Sequence, residues 1–358
     1  MKVVSLFIAG GVGKRLWPKS DISCPKQFCD LLMTGKTLIQ ESIDRMSFIS
    51  ETNDIFIVTD KCFGPIIEKM NLSVPLENIL YEPCGKNTSA AINLSIAYIK
   101  SVYKEDVVVI VLPCDHYINK VDLFRNAIKE VSLFCCDNDA IVTIGIKPNL
   151  PNTNYGYIKL GCSISDCLNK VDSFTEKPNI ETASMYLSTK KYLWNSGVYV
   201  FRLSVAESAF KKYANSQYVL FESLSFDCSS LELSKQLEHI YKQLSNISFD
   251  KAIAEKSLNL YCYKGSFDWD DLGTWSSIEH FFPKDCSDNI INNVDNSIIE
   301  NCNNVTLLSY DNQKIIVSGL DNILVVNANE KILIIKKDRL NDLSCLVEKL
   351  DLKFSEEK

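Results

Sequence analysis

A chain of 358 residues, 46% hydrophobic and 23% charged, has core material for one large domain and one small one. Its formal net charge of −7 argues against nucleic acid or an anionic membrane as the main partner, because both select for basic faces. No apolar run reaches the roughly 18 residues that span a bilayer, and the N-terminal apolar run passes straight into a charged loop, so it reads as the first strand of a cytoplasmic protein. Fourteen cysteines without a C-x-x-C pair, and three scattered histidines (His116, His239, His280), fit neither a disulfide framework nor a zinc cage; reduced thiols are expected.

The apolar run Val3–Ile8 reads as a buried strand feeding a glycine-rich loop, with Gly10, Gly11 and Gly13 followed by Lys14 and Arg15. Such a loop turns tightly and exposes backbone N–H groups beside positive charge, which suits a polyphosphate, although a plain strand-to-helix connection also uses glycine. The P-loop pattern fails because Arg15 stands where its hydroxyl residue belongs, and the dinucleotide fingerprint fails at Leu16. Pro18 stops regular structure, and Pro25-Lys26 places a second cation beyond it. Residues 37–46 carry helical periodicity and 55–59 form a strand-length apolar run, the start of a parallel α/β sheet.

A strand ending near Glu82 leads through Gly85 to Asn87 or Thr88, either of which serves as N-cap for a helix over 89–100. Residues 107–112 are the most apolar run and read as a central strand; Asp115 follows it, where ligands gather in open parallel sheets, and is a candidate metal ligand or a turn residue. A helix over 122–134 and a strand over 140–146 come next. Tyr155-Gly156, Glu176-Lys177 and Asn195 lie at strand ends and supply the carboxylate, amide, backbone and aromatic groups that recognise sugar hydroxyls, while each alone is more often structural, a surface pair or a turn former. The strand over 193–201 is interrupted at Asn195-Ser196-Gly197. Residues 204–244 are helical with a break at 227–230; a segment with Asp250 and a strand over 258–263 follow. Asp270 and Asp271 lie in a second acidic stretch ahead of a helix near Thr274. From residue 285 short apolar runs and crowded asparagines indicate a small all-β domain, closed by a helix over 341–352.

AGGVGKRLWPKS and CPKQF resemble the opening of the sugar-nucleotide pyrophosphorylases, and RLWP and PKQF resemble in particular the mannose-1-phosphate guanylyltransferases. Segments similar to that family's xLPxDHxI, YGYI, EKP, WNSG, FDxAxxEK and WxDxGxW follow in family order. Asn154 departs from a usual glycine and Asp270 from a usual neutral residue. The resemblance implies a Rossmann-like, mostly parallel, glycosyltransferase-A-like nucleotidyltransferase domain over 1–284, with a left-handed β-helix-like domain over 285–358 that mediates assembly, as in a homodimer.

It further implies transfer of GMP from GTP to α-D-mannose 1-phosphate, giving GDP-mannose and pyrophosphate, by in-line attack without an enzyme nucleophile. On that reading Gly10, Gly11 and Gly13 cradle the triphosphate, Arg15 holds the departing pyrophosphate, and Lys26 bridges the sugar phosphate and α-phosphate. Glu82, Gly85, Asn87 and Thr88 hold the nucleotide; Tyr155, Gly156, Glu176, Lys177, Asn195 and Asp250 line the sugar site; Asp115 and Asp271 carry Mg²⁺. The rival readings are a nucleotidyltransferase for another sugar phosphate or base, and a non-catalytic nucleotide-sugar-binding subunit, which should lack these cations and carboxylates.

Overall fold

The computed structural model describes residues 1–355; positions 356–358, the end of the expected C-terminal domain, lie outside the described residues. The chain forms two compact units. One comprises Met1–Gly10, Ser42–Cys114 and Ile118–Trp269; the other comprises Gly11–Glu41, Asp115–Tyr117 and the chain from Asp270 onward.

The first unit is built on a nine-stranded sheet in the spatial order Ile79–Glu82, Ile55–Asp60, Val3–Ala9, Val108–Pro113, Tyr192–Arg202, Ile141–Ile146, Leu260–Lys264, Leu168–Thr175 and Tyr157–Ser163. The first four strands run parallel, as their alternation with helices requires. The sheet as a whole is not mostly parallel. Tyr192–Arg202 enters antiparallel between Val108–Pro113 and Ile141–Ile146, and Tyr157–Ser163 pairs antiparallel with Leu168–Thr175. The last two are joined by a short connection with no room for a crossover helix, so only a hairpin is open to them.

Val108–Leu112 are buried on both faces. One face shares a core with the helices Asn87–Val102 and Leu203–Tyr213, through Phe56, Val109, Val111, Phe201, Ile96 and Phe210. The helix Val121–Asp137 packs on the strands Val108–Pro113, Ile141–Ile146 and Tyr192–Arg202. The expected interruption at Asn195-Ser196-Gly197 is instead a bulge within one eleven-residue strand, where Asn195 pairs Gly145 and Tyr199 pairs Thr143. Four residues on one strand thus pass two on the other, and Gly197 takes φ +74° to absorb the excess.

The helix expected from 89 begins at Asn87, and neither Asn87 nor Thr88 is its N-cap. Asn87 adopts φ +69°, its side chain accepts from the Thr88 N–H at 2.9 Å, and the Thr88 hydroxyl accepts from the Phe249 N–H at 2.9 Å. Lys86 is the residue before the helix and makes no side-chain cap.

In the second unit the short strands after residue 285 stack mainly in parallel. Ile290–Ile291 pairs Thr306–Ser309, which pairs Ile323–Ala328; Ser297–Glu300 pairs Ile315–Ser318. Lys331–Lys336 closes antiparallel on Ile323–Ala328, and the helix Leu343–Ser355 follows. Asparagine supplies the corners: Asn301, Asn304, Asn322 and Asn329 all take the left-handed conformation that asparagine tolerates better than most residues. These coils share a core with the early loop segment, in which Leu16, Leu31 and Leu38 lie with Trp275, Ile290, Leu324 and Leu343.

Candidate active site

The glycine loop is shaped by two positions. Gly13 has φ +79°, and a Cβ there would sit 2.7 Å from both the Lys26 Cβ and the Ser20 hydroxyl, so any other residue would collide with the wall it packs on. Gly11 has φ +90° with open space beside it, and Gly10 is likewise open, which leaves that backbone accessible to a ligand. Buried Ser20 reaches the Val12 and Gly13 carbonyls, the latter at 3.0 Å, and the Lys26 N–H donates to the Val12 carbonyl at 3.2 Å. Lys14 pairs with Glu348 at 3.3 Å, and Arg15 is exposed on the turn Lys14–Leu16.

Lys26 is only 7% exposed, and its ammonium joins two distant stretches. It donates to the Asp115 carboxylate at 2.6 Å and to the Asp271 backbone carbonyl. Burial raises the Asp115 pKa, but the Lys26 ammonium and His116, at 3.9 Å, outweigh it and hold the carboxyl below its usual range. Asp271 accepts from the Gly273 N–H at 3.0 Å, and a Cβ on Gly273 would sit 2.7 Å from the Asp271 carboxylate. The D-x-G spacing therefore makes room for the acid. Asp270 is held by the Leu272 N–H at 2.7 Å; burial raises its pKa, with the neighbouring Asp271 charge adding to the shift. Thr274, not Asp270, caps the following helix, in a reciprocal capping box with Ser277.

Two polar groups form within the first unit. Around the expected nucleotide segment, Glu82 is 5% exposed and accepts from the Tyr241 hydroxyl at 2.9 Å; burial pushes its carboxyl up to about 8, against that hydrogen bond and with Asp60 adding to the rise. Gly85 and Asn87 are exposed nearby in sequence, while Thr88 is tied to Phe249.

Around the expected sugar segment, Asp250 Oδ1 accepts from Asn195 Nδ2 at 2.8 Å and from the Tyr199 hydroxyl at 2.6 Å, and the Thr143 hydroxyl donates to Asn195 Oδ1 at 2.6 Å. Gly156 accepts from the Asn195 N–H at 2.8 Å and lies so close to Glu176 that an added Cβ would meet its carboxylate at 2.7 Å. Burial, then the Asp250 charge, raises the Glu176 pKa; exposed Lys177 pairs with it at 3.0 Å. Tyr155 stands edge-on to Trp194 and Trp269, with ring centres 5.0 and 5.1 Å away.

Thus Lys26, Asp115 and Asp271 meet, as do Asn195, Asp250, Gly156 and Glu176. Sequence reasoning missed Tyr199, Thr143, Tyr241 and His116. The signal for Tyr199 was its place four residues from Asn195 on one strand, which puts both on the same face; Tyr241 and Thr143 reach their partners through tertiary packing alone. Among the described residues, no group of three or more His, Cys, Asp or Glu side chains is placed to hold a metal by itself.

A family model described as nucleotidyl transferase matches residues 4–288. The chain is 30% identical over 357 residues to a mannose-1-phosphate guanylyltransferase of Escherichia coli, covering 97% of this chain and 73% of that one. A Thermus thermophilus protein described as a mannose-1-phosphate geranyltransferase superposes with a TM-score of 0.85 at 27% identity, covering 98% of this chain and all of the other. A UDP-glucose pyrophosphorylase crystallised with UDP-glucose shares the fold at a TM-score of 0.52 and 15% identity, covering 78% and 97%. The architecture is thus the mixed α/β nucleotidyltransferase fold of the sugar pyrophosphorylases with a β-rich C-terminal region, and the chain belongs to the nucleotidyl transferase family.

Proposed function

We propose that this protein transfers GMP from GTP to α-D-mannose 1-phosphate, releasing pyrophosphate and forming GDP-mannose. The observation that carries the reading is the meeting of Lys26, Asp115 and Asp271 beside a glycine loop, in a chain similar along nearly its whole length to the Escherichia coli guanylyltransferase. A sugar-phosphate oxygen attacks the α-phosphorus in line and pyrophosphate departs. No side chain forms a covalent bond.

Joining two anions is a matter of positioning and charge neutralisation. Backbone N–H groups of Gly10, Gly11 and Gly13 receive the triphosphate, Arg15 holds the departing pyrophosphate, and Lys26 neutralises the sugar phosphate and α-phosphate. Glu82, Gly85, Asn87 and Thr88 hold the nucleotide base. Asn195 and Asp250, fixed by Tyr199, bind sugar hydroxyls with Gly156, Glu176 and Lys177, and Tyr155 supplies an aromatic wall. Asp115 and Asp271 are the residues that would hold Mg²⁺. Two carboxylates with only oxygen donors fit an ion that takes its remaining ligands from phosphate and water, and bound there it neutralises phosphate charge.

We assign the chemistry to residues 1–284 and homodimer assembly to 285–358, as a left-handed β-helix in a cytoplasmic enzyme. Ile298 and Ile316, register partners on neighbouring coils, are 54% and 72% exposed and offer an apolar face to a second copy; a protomer mass in sedimentation would count against it. The reaction is tested by pyrophosphate release, omitting each component in turn. Release that needs GTP, mannose 1-phosphate and Mg²⁺ together is expected. Release with glucose 1-phosphate or another nucleotide moves the substrate assignment, and nucleotide-sugar binding without release overturns the catalytic reading.

A further inference from the structure

Two cysteines flank the lysine of the charged cluster and their sulfurs touch. Cys24 Sγ and Cys29 Sγ lie 3.0 Å apart, and both thiols are free. A disulfide has its sulfurs about 2.05 Å apart, so the pair needs an approach of about 1 Å to bond. The turn between them is ordered: Asp21 and Cys24 exchange backbone hydrogen bonds, the Phe28 N–H donates to the Pro25 carbonyl at 2.8 Å, and the Cys29 N–H donates to the Lys26 carbonyl at 3.1 Å. No refolding is required to bring the sulfurs together.

The two thiols have different environments. Cys29 is buried at 2% exposure, and its single proton has the Cys24 sulfur and the Lys19 and Cys24 carbonyls within 3.2 Å. Cys24 is partly exposed, and its sulfur shares a hydrogen bond with Cys29 in which either thiol can donate. The hydrogen bond from Cys29 lowers the Cys24 thiol to about 7; burial and Asp21 oppose the shift, and the Lys19 ammonium assists it. An accessible sulfur with thiolate character beside a buried partner is the arrangement of an attacking and a resolving cysteine.

We propose that Cys24 and Cys29 form a reversible disulfide that disables Lys26. With a peroxide as oxidant, the Cys24 thiolate attacks one peroxide oxygen, the O–O bond breaks, and the leaving hydroxide takes a proton to become water. Cys24 is then a sulfenic acid. The Cys29 thiol loses its proton, its sulfur attacks the Cys24 sulfur, the S–O bond breaks and a second water leaves. Two thiols are oxidised by two electrons and one peroxide is reduced to two waters; a dithiol reverses the change. Lys26 lies inside the closed loop, and its stem is the wall of the Gly13 turn, so drawing Cys24 and Cys29 together displaces the ammonium from Asp115 and Asp271.

The bond can be read without any assay of activity. Trypsin cuts after Lys19, Lys26 and Lys36, leaving Cys24 in Ser20–Lys26 and Cys29 in Gln27–Lys36. The whole protein, treated with stoichiometric hydrogen peroxide, is expected to yield these two peptides joined, and separate again after dithiothreitol. The effect on turnover rests on the guanylyltransferase reading. Joined peptides should accompany a loss of pyrophosphate release on the order of tenfold or more, restored by dithiothreitol and absent in Cys24→Ser and Cys29→Ser, which keep their activity under peroxide. Unjoined peptides, or joined peptides with unchanged turnover, overturn the proposal. If the untreated protein releases no pyrophosphate, the functional reading fails and the peptide result still decides the disulfide.

Discussion

The cluster around Lys26 and the network around Asp250 solve opposite problems. The first joins one carboxylate, Asp115, 89 residues along the chain, and one backbone carbonyl, that of Asp271, 245 residues along, through the single Lys26 ammonium. The second ties one carboxylate to neutral donors, Asn195 and Tyr199, and locks Asn195 in turn through Thr143. Lys26 can exchange the Asp115 carboxylate for another anion, and Asp115 can exchange the ammonium for another cation, because charge is satisfied by any counter-charge. A hydrogen-bonded chain has direction, and so on the proposed reading it sets where a sugar hydroxyl points. On that same reading, lability suits the reacting phosphates and rigidity suits recognition.

The largest effect should come from breaking the ionic side. Lys26→Met keeps most of the buried aliphatic stem and removes only the ammonium, so turnover is expected to fall on the order of 100- to 1000-fold, with far-ultraviolet circular dichroism unchanged; Arg15→Ala should fall similarly. Near wild-type turnover in either variant would remove that residue from the chemistry.

Breaking the neutral side should look different. Tyr199→Phe deletes one hydroxyl donated to Asp250, a bond to a carboxylate worth about 1.5–3 kcal/mol. Mannose 1-phosphate KM is expected to rise about tenfold while kcat barely moves. A drop in kcat with KM unchanged would contradict a positioning role.

A further effect concerns stability alone and sharpens the contrast between two carboxyls. Asp115, beside an ammonium, is held down in pKa; Glu82, with only a tyrosine hydroxyl, is pushed up to about 8 from an ordinary 4.5. A raised carboxyl binds its proton more tightly when folded, so its contribution is fully present below pH 4.5 and is lost as pH rises towards 8. Without nucleotide, the unfolding free energy of wild type from urea titration minus that of Glu82→Gln should decline across that window, at no more than about 1.4 kcal/mol per pH unit. A flat difference would mean that Glu82 titrates normally.

Local chemistry made the parallel half of the sheet, the glycine turn and the acidic positions legible in sequence. Gly13, Asp115 and Asp271 each sit where chain direction or a tight turn leaves few options. What stayed hidden depends on partners far along the chain. Thr88 looks like a cap until Phe249 claims its hydroxyl. The strand through Asn195 looks broken because a bulge and a break share the same residues, and only Gly145 and Thr143 opposite decide between them. The domain boundary is subtler still, because Leu16 and Leu31 carry no mark that they belong to a core with Leu324.

The asparagine corners hold neighbouring C-terminal coils in phase. Asn303 bonds to Asp321, Asn304 to Asn322, and the Asn329 N–H to Asp311, each across 18 residues, whereas the first coil, Ile290 against Thr306, is offset by 16. Because Ile290 and Leu324 also share a core with Leu16 and Leu31, the corners tie the tail to the start of the chain as well as coil to coil. Inserting a few residues between two corners would therefore break the corner bonds and shift the wall on which the early loop packs.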